Sequence, residues 1–208
     1  MSSASIQAPQ PNRVAAATPL LFAVVLAAGA ATRFGSTKQL ARLHGDTLAA
    51  RAIRSAEKLC GARSVLVTGH DAAAVLAACA PLAGFFVLND SYADGLATSV
   101  AGGVSAVRHV ADGVLLMLAD QPLVTPEHLQ QLAACWAEEP VCAVASRYAG
   151  VIGVPAILPR SDFAALCALE GDAGAKGILA AHRDKLRLID CAEAALDIDR
   201  PSDLEALL

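Results

Sequence analysis

No run of basic residues occurs in this 208-residue sequence, in which 16 Lys+Arg stand against 20 Asp+Glu for a net charge of −4. With a pI near 5.7 the chain has no stripe of charge to track a nucleic-acid backbone, so nucleic acid is excluded as a partner. A membrane span is excluded as well. Mean hydropathy is +0.50, but much of the excess is alanine, which helices tolerate on every face. The longest small or apolar run, Leu20 to Ala31, is about 12 residues against the roughly 20 that cross a bilayer. The cysteines (Cys60, Cys79, Cys135, Cys142, Cys167, Cys191) never form Cys-x-x-Cys, and the chain is too large to need disulfide staples. They read as reduced cytosolic thiols, neither a disulfide frame nor a zinc site. The histidines His44, His70, His109, His128 and His182 form no metal-spaced pair and no Ser/His/Asp set, and are assigned structural or surface roles. Both common nucleotide motifs are missing too. Gly29-x5-Gly35 before Ser36-Thr37-Lys38 is not the P-loop order, and there is no Gly-x-Gly-x-x-Gly.

What the chain has is alternation. Residues 1–19 are rich in Ser, Ala, Gln and Pro without periodicity and are expected to be a disordered extension. Beyond them, apolar runs at Phe22–Leu26, Ser64–Thr68, Phe85–Leu88 and Val114–Leu118 alternate with helical patterns at Leu48–Leu59, Ala72–Ala80, Thr98–Val107 and Pro126–Ala137. Strands this apolar are expected to be buried on both faces, which predicts a parallel sheet with crossover helices in a three-layer α/β/α domain. After Val141–Ser146 the order changes: Val154–Leu158, helices over Asp162–Ala168 and Gly174–His182, then a strand Leu186–Ile189. A small antiparallel element is expected there. No repeat or linker divides residues 20–208, so one domain is expected.

The apolar run near the start invites a signal-peptide reading, with Arg13 before it and Ala28-Gly29-Ala30 as a cleavage patch. The residues beyond it argue otherwise. The run leads into Leu26-Ala27-Ala28-Gly29-Ala30-Ala31-Thr32-Arg33-Phe34-Gly35-Ser36-Thr37-Lys38-Gln39-Leu40, a small-residue turn with two cations. Ligands of open α/β sheets bind beyond the strands' carboxyl ends, where such a turn lets backbone N–H groups approach phosphate. Arg33 and Lys38 would then neutralise a triphosphate, although a solvated turn after a core strand would also account for them. Cleavage near Ala30 would remove the strand that carries this loop, so the expected compartment is the cytoplasm, where nucleoside triphosphates are available.

That loop resembles the opening signature of the MobA-like nucleotidyltransferases, most closely the molybdenum cofactor cytidylyltransferases. The resemblance continues through Asn89, Gly95-Leu96-Ala97-Thr98-Ser99-Val100-Ala101-Gly102-Gly103, Asp120-Gln121-Pro122, Gly171-Asp172-Ala173-Gly174-Ala175-Lys176 and Asp197-Ile198-Asp199-Arg200-Pro201-Ser202-Asp203-Leu204. It implies a Rossmann-like nucleotidyltransferase fold and the transfer of CMP from CTP to the phosphate of a molybdopterin-type cofactor, with release of pyrophosphate. It further implies Arg33, Lys38 and Asp120 as catalytic residues and Mg²⁺ held by Asp120 and Asp199. A carboxylate beside a triphosphate needs a cation, and Mg²⁺ takes one or two carboxylates plus phosphate oxygens. Transient docking on a molybdenum hydroxylase is implied as well.

Other positions fill in the expected site. Leu26, Ala27, Ala28 and Gly29 would line the nucleotide, with Thr68 and Gly69 or Asn89 and Asp90 at strand ends able to reach base or ribose, though without the resemblance these are ordinary turn residues. Gly95 and Ser99 precede or open a helix whose N-terminus could receive an anion. Asp197 and Asp199 alternate with Leu196 and Ile198 and so share one face, leaving open which is the second metal ligand. Asp120 could instead lie near the cap of the helix starting at Pro126, and Asp199 near that of the last helix. On the acceptor side stand Gly153, Pro155, Asp172, Lys176 and Asp197.

Ala28 leans the base choice toward cytidine, because guanylyl-transferring relatives tend to have glycine there. Three positions depart from the family pattern. Val154 replaces a usual His or Asn between Gly153 and Pro155, Lys176 replaces Arg and loses its bidentate geometry, and Arg200 stands where Thr is common. A sugar or polyol phosphate as acceptor, GTP as donor, or a non-catalytic cofactor carrier are the alternative functions.

Overall fold

The computed structural model describes residues 18–30 and 34–208. Nearly all of the expected extension, and Arg33 with its neighbours Ala31 and Thr32, lie outside these residues. In chain order the elements are β1 (Leu21–Ala27), the hairpin strands β2 (Arg42–Leu43) and β3 (Asp46–Thr47), α1 (Leu48–Cys60), β4 (Ser64–Thr68), α2 (Ala72–Cys79), β5 (Phe85–Leu88), α3 (Leu96–Val107), β6 (Gly113–Leu118), α4 (Pro126–Glu138), β7 (Val144–Tyr148), β8 (Val151–Pro159), α5 (Phe163–Cys167), α6 (Lys176–Ala181), β9 (Arg187–Asp190) and α7 (Pro201–Glu205).

The long strands form one seven-stranded sheet in the order β5-β4-β1-β6-β8-β7-β9. Strand β1 lies inside it because its side chains are apolar on both faces. Ala23, Val25 and Ala27 face one layer with Ala49 and Ile53 of α1 and Leu129, Leu132 and Trp136 of α4. Val24 and Leu26 face the other, with Val100 and Val104 of α3, Phe163 of α5 and Leu179 of α6. This period of two makes the three layers, and emptying one position, as in Leu132→Ala, would cost about 2–5 kcal/mol. Helix α3 approaches the sheet closely because residue 103 is glycine: a Cβ there would overlap Val24 and lie 2.9 Å from a Val67 methyl.

Local signals set the ends of the helices. Thr47 accepts from Ala50 N at 3.2 Å to cap α1, and Thr125 accepts from His128 N at 3.3 Å to cap α4, with Pro126 in its first turn. Helix α3 starts two residues before the expected Thr98, after Gly95 at φ +112°. The expected antiparallel element is β8, which runs against both β6 and β7, whereas β7 and β9 pair in parallel. One expectation is corrected. Strand β5 is an edge strand, with Phe86 51% and Leu88 52% exposed, because apolar composition does not tell a central strand from an edge one.

Candidate functional site

Parallel pairing of β1 and β6 runs from Leu21 opposite Gly113 to Leu26 opposite Leu118, so Ala28 and Asp120, two residues further on, emerge at the same edge. A cavity of about 510 Å³ opens there, lined among others by Leu26, Ala28, Gly29, Lys38, Asp120 and Asp199. Lys38 begins a single 3₁₀ turn, Lys38–Leu40, and buried Gln39 ties that turn back by donating through Nε2 to Gly29 O at 2.7 Å. The loop therefore closes on its own beginning and aims the lysine inward.

Lys38 Nζ donates to Asp120 Oδ2 at 2.7 Å and to Asp199 Oδ1 at 3.2 Å. Asp199 arrives from the far end of the chain because Ile198 is fully buried against Leu43 and Leu48 and donates its N–H to Asp120 O at 2.9 Å. Neither carboxylate is spent on a helix cap. Thr125 caps α4, and at α7 it is Asp203 that accepts from Asp199 N and Arg200 N. Burial pulls the Lys38 ammonium's pKa down, but the charge of and hydrogen bond to Asp120, then those of Asp199, outweigh it and the net direction is up. The carboxyl of Asp197 is pushed up by burial and by the neighbouring Asp120 charge, against a hydrogen bond from Gln121.

Among the described residues no group of three or more His, Cys, Asp or Glu is placed to hold a metal. The Asp120 and Asp199 pair nevertheless suits a cation that takes its remaining ligands from phosphate and water. Asp120 Oδ1 is buried with no hydrogen-bond partner, a charged oxygen left for something to meet.

Gly95, Ser99 and Asp172 also line the cavity. Gly153 and Lys176 line a smaller one beside it, and Pro155 lies behind, its carbonyl accepting from Ser146 Oγ at 2.6 Å. Other expected positions are not in either wall. Ala27 faces the opposite layer. Thr68 is fully buried, and Gly69 lies where a Cβ would meet Tyr92 at 2.8 Å. Asn89 spends its amide on the loop into α3, donating to Thr98 Oγ1 and Ser99 Oγ, each at 2.9 Å, and accepting from Ser91 N. Asp90 sits in the exposed turn after it. Gln39, Tyr92, Leu96 and Leu118 line the cavity although sequence reasoning does not mark them. Gln39 belongs to the small-residue loop, but nothing in its spacing tells that its amide folds the loop back.

All six cysteines are free, and burial pushes the thiols of Cys60 and Cys79 up to about 11. Among the described residues no helix is long and apolar enough to cross a membrane.

A family model described as the MobA-like NTP transferase domain matches residues 23–186. The bifunctional protein GlmU of Dinoroseobacter shibae is 37% identical over 114 residues, which are 53% of this chain and 25% of that protein. This chain thus spans about a quarter of the length of that relative. The purine catabolism protein PucB of Bacillus subtilis is 29% identical over 171 residues, 78% of this chain and 82% of PucB. Rv0371c from Mycobacterium tuberculosis superposes with a TM-score of 0.79 at 28% identity, covering 92% of this chain and 98% of that one. It has also been solved in complex with manganese, with a TM-score of 0.76 at 29% identity, covering 91% and 98%.

Proposed function

The chain belongs to the MobA-like NTP transferase family, and from that premise we propose that it transfers CMP from CTP to the phosphate of a molybdopterin-type molybdenum cofactor and releases pyrophosphate. The observation that carries the reading is the Lys38, Asp120 and Asp199 cluster at the cavity floor, with Asp120 Oδ1 left unpartnered. Asp120 and Asp199 would hold a divalent cation, Mg²⁺ in this reading, and the manganese complex of Rv0371c supports a cation of that class. When bound, such a cation withdraws charge from phosphate oxygens.

The residues themselves position and neutralise. Ala28 and Gly29 line the cavity and their backbone N–H groups would carry the phosphates, while Lys38, with Arg33, would offset the charge that builds on the departing pyrophosphate. The acceptor phosphate attacks the α-phosphorus and pyrophosphate leaves. No side chain need act as general base, because a phosphate dianion is already nucleophilic. CTP over GTP rests on Ala28, which lines the cavity at 3% exposure. A cytoplasmic setting and transient docking on a molybdenum hydroxylase belong to the same proposal.

Pyrophosphate release measured with CTP, GTP and ATP, with and without molybdopterin cofactor, tests it. Release with CTP only when cofactor is present is the expected result. Release with a sugar or polyol phosphate instead would move the acceptor, and silence under every condition would leave a carrier.

A further inference from the structure

Lys38 is held from both sides, by bonds that reach it through its neighbours. Gln39 ties the far side to Gly29 O. On the near side Thr37 gives its carbonyl to the 3₁₀ turn, accepting from Leu40 N at 2.9 Å, while its buried hydroxyl donates across to Asp71 Oδ2. Asp71 stands at the N-cap position of α2, where an aspartate usually accepts from the helix's own first N–H groups. Its carboxylate accepts from none of them. The residue also sits at φ +50°, in the left-handed region, which aspartate enters more readily than most residues but still at a cost. A cap is forgone and strain accepted, and the nearest partner of the carboxylate is Thr37, with His70 Nε2 farther off at 3.5 Å. Strain of this kind gathers where a site needs one fixed geometry. The loop that carries Asp71 is itself fastened to the end of β1, because His70 N donates to Ala28 O at 3.0 Å. Neither Thr37 nor Asp71 is in the described lining of the nucleotide cavity, so what Asp71 does for a ligand it does through Lys38.

Resting on the transferase reading, we propose that Asp71 is a positioning residue for the transfer: through Thr37 it fixes the 3₁₀ turn so that the Lys38 ammonium stands where charge builds on the departing pyrophosphate. A lysine side chain is a long flexible stem, and its aim is only as good as the backbone that carries it. A turn free to shift by about an ångström would take the ammonium off line, a displacement that costs about 10²-fold at a reacting centre. Because the Thr37 hydroxyl is the donor, what Asp71 must supply is an acceptor oxygen in one place, and its charge is incidental.

Substitutions in the full chain separate this bond from the fold. Asp71→Gly removes the acceptor and frees the left-handed backbone of strain, so the urea midpoint should stay nearly level. Its kcat for pyrophosphate release should fall about tenfold or more, with KM for CTP moving less than about threefold. Thr37→Val, which keeps the shape and loses the donor, should do the same. Asp71→Asn keeps an acceptor oxygen and should restore kcat to within about twofold of the unsubstituted chain. In a Lys38→Met background Asp71→Gly should lower kcat no further, as for residues that act as one unit. An undiminished kcat in Asp71→Gly, an equal loss in Asp71→Asn, or a further tenfold loss without Lys38 overturns the proposal. Hydrogen exchange at Leu40 N, whose partner is Thr37 O, reads the anchor without turnover. It should quicken about fivefold or more in Asp71→Gly and Thr37→Val and hold in Asp71→Asn; unchanged exchange in the first two overturns the proposal as well. If the unsubstituted chain releases no pyrophosphate with any acceptor, the transferase reading fails by itself, and exchange at Leu40 still decides the anchor.

Discussion

The two halves of the sheet present opposite chemistry at one edge. In β5-β4-β1-β6 every strand runs the same way, so every carboxyl end, with the loop attached to it, arrives together. That is how Ala28 and Asp120 become neighbours across paired strands. Strand β8 runs the other way. With Leu116 opposite Ala156, it is the beginning of β8, Val151 to Val154, that lies beside the end of β6. A strand's first residues are still strand and bring alternating apolar side chains, where a strand's end brings a polar loop. Reversal of one strand thus sets the smaller, largely aliphatic cavity against the charged one.

The charged half should break most completely. Asp120→Asn keeps the shape and removes the charge from an oxygen pair of which one is bonded to Lys38 and the other is unpartnered. Turnover should fall about 10³-fold or more, the scale of a lost electrostatic partner at a reacting phosphate, in the pyrophosphate assay. Normal Mg²⁺-dependent activity in this variant would remove Asp120 from the mechanism. Lys38→Met should cost about 10²–10³ in kcat/KM, with one difference from a collapsed site. Because the ammonium contacts both carboxylates, removing it should leave Mn²⁺ binding without nucleotide as tight or tighter. Weaker Mn²⁺ binding would mean that Lys38 supports the carboxylates instead of competing for them.

Base choice should respond less. Ala28 sits at the cavity wall beyond the end of β1, and in this reading its methyl would narrow the space left for a base. Ala28→Gly should shift the CTP to GTP ratio of kcat/KM toward GTP by about tenfold, the scale of one methyl in a specificity pocket. An unchanged ratio would detach base selection from this position and leave the Ala28 argument without content.

The parts of the fold legible in the sequence are those where a period and a boundary coincide. Strands β1, β4 and β6 and helices α1 and α4 are apolar in their own rhythm and end at caps or glycines, so their positions can be read to within a residue or two. The β2–β3 hairpin is not legible, because two-residue strands carry no period. Nor is the exposure of β5, since four apolar residues read the same at a sheet's centre and at its edge. The site divides similarly. Lys38 lies 82 positions from Asp120 and 161 from Asp199, and no local pattern joins residues so far apart; the family resemblance alone connects them. Asn89 shows the converse. Its donors and acceptor suit a base edge, yet tertiary structure turns all three onto Thr98, Ser99 and Ser91. The smaller cavity is invisible in the sequence because it exists only where β8 reverses beside β6.

The smallest expected effect falls on the half that holds the reversed strand and concerns acid. His128 of α4 is buried, with Nε2 2.7 Å from Ser146 Oγ, and that hydroxyl donates to Pro155 O. Since the serine's one proton goes to the carbonyl, the network assigns Nε2–H of His128 as donor to the serine oxygen. The histidine thereby steadies β8 behind the smaller cavity. Burial lowers its pKa from the usual 6.5, against an opposing pull from Glu193. Unfolding frees the ring to take up a proton near pH 6.5 that the folded chain declines, so this contribution to stability is present above that pH and is lost as pH falls through it. Urea-unfolding midpoints should be nearly level between about pH 7 and about pH 8 and decline below about pH 6.5, with the decline shallower in His128→Gln. If the two halves are as separate as their chemistry, cofactor-dependent turnover should weaken on that acid side before binding of a non-hydrolysable CTP analogue does. Loss of both in step would make the smaller cavity and the nucleotide cavity one cooperative unit.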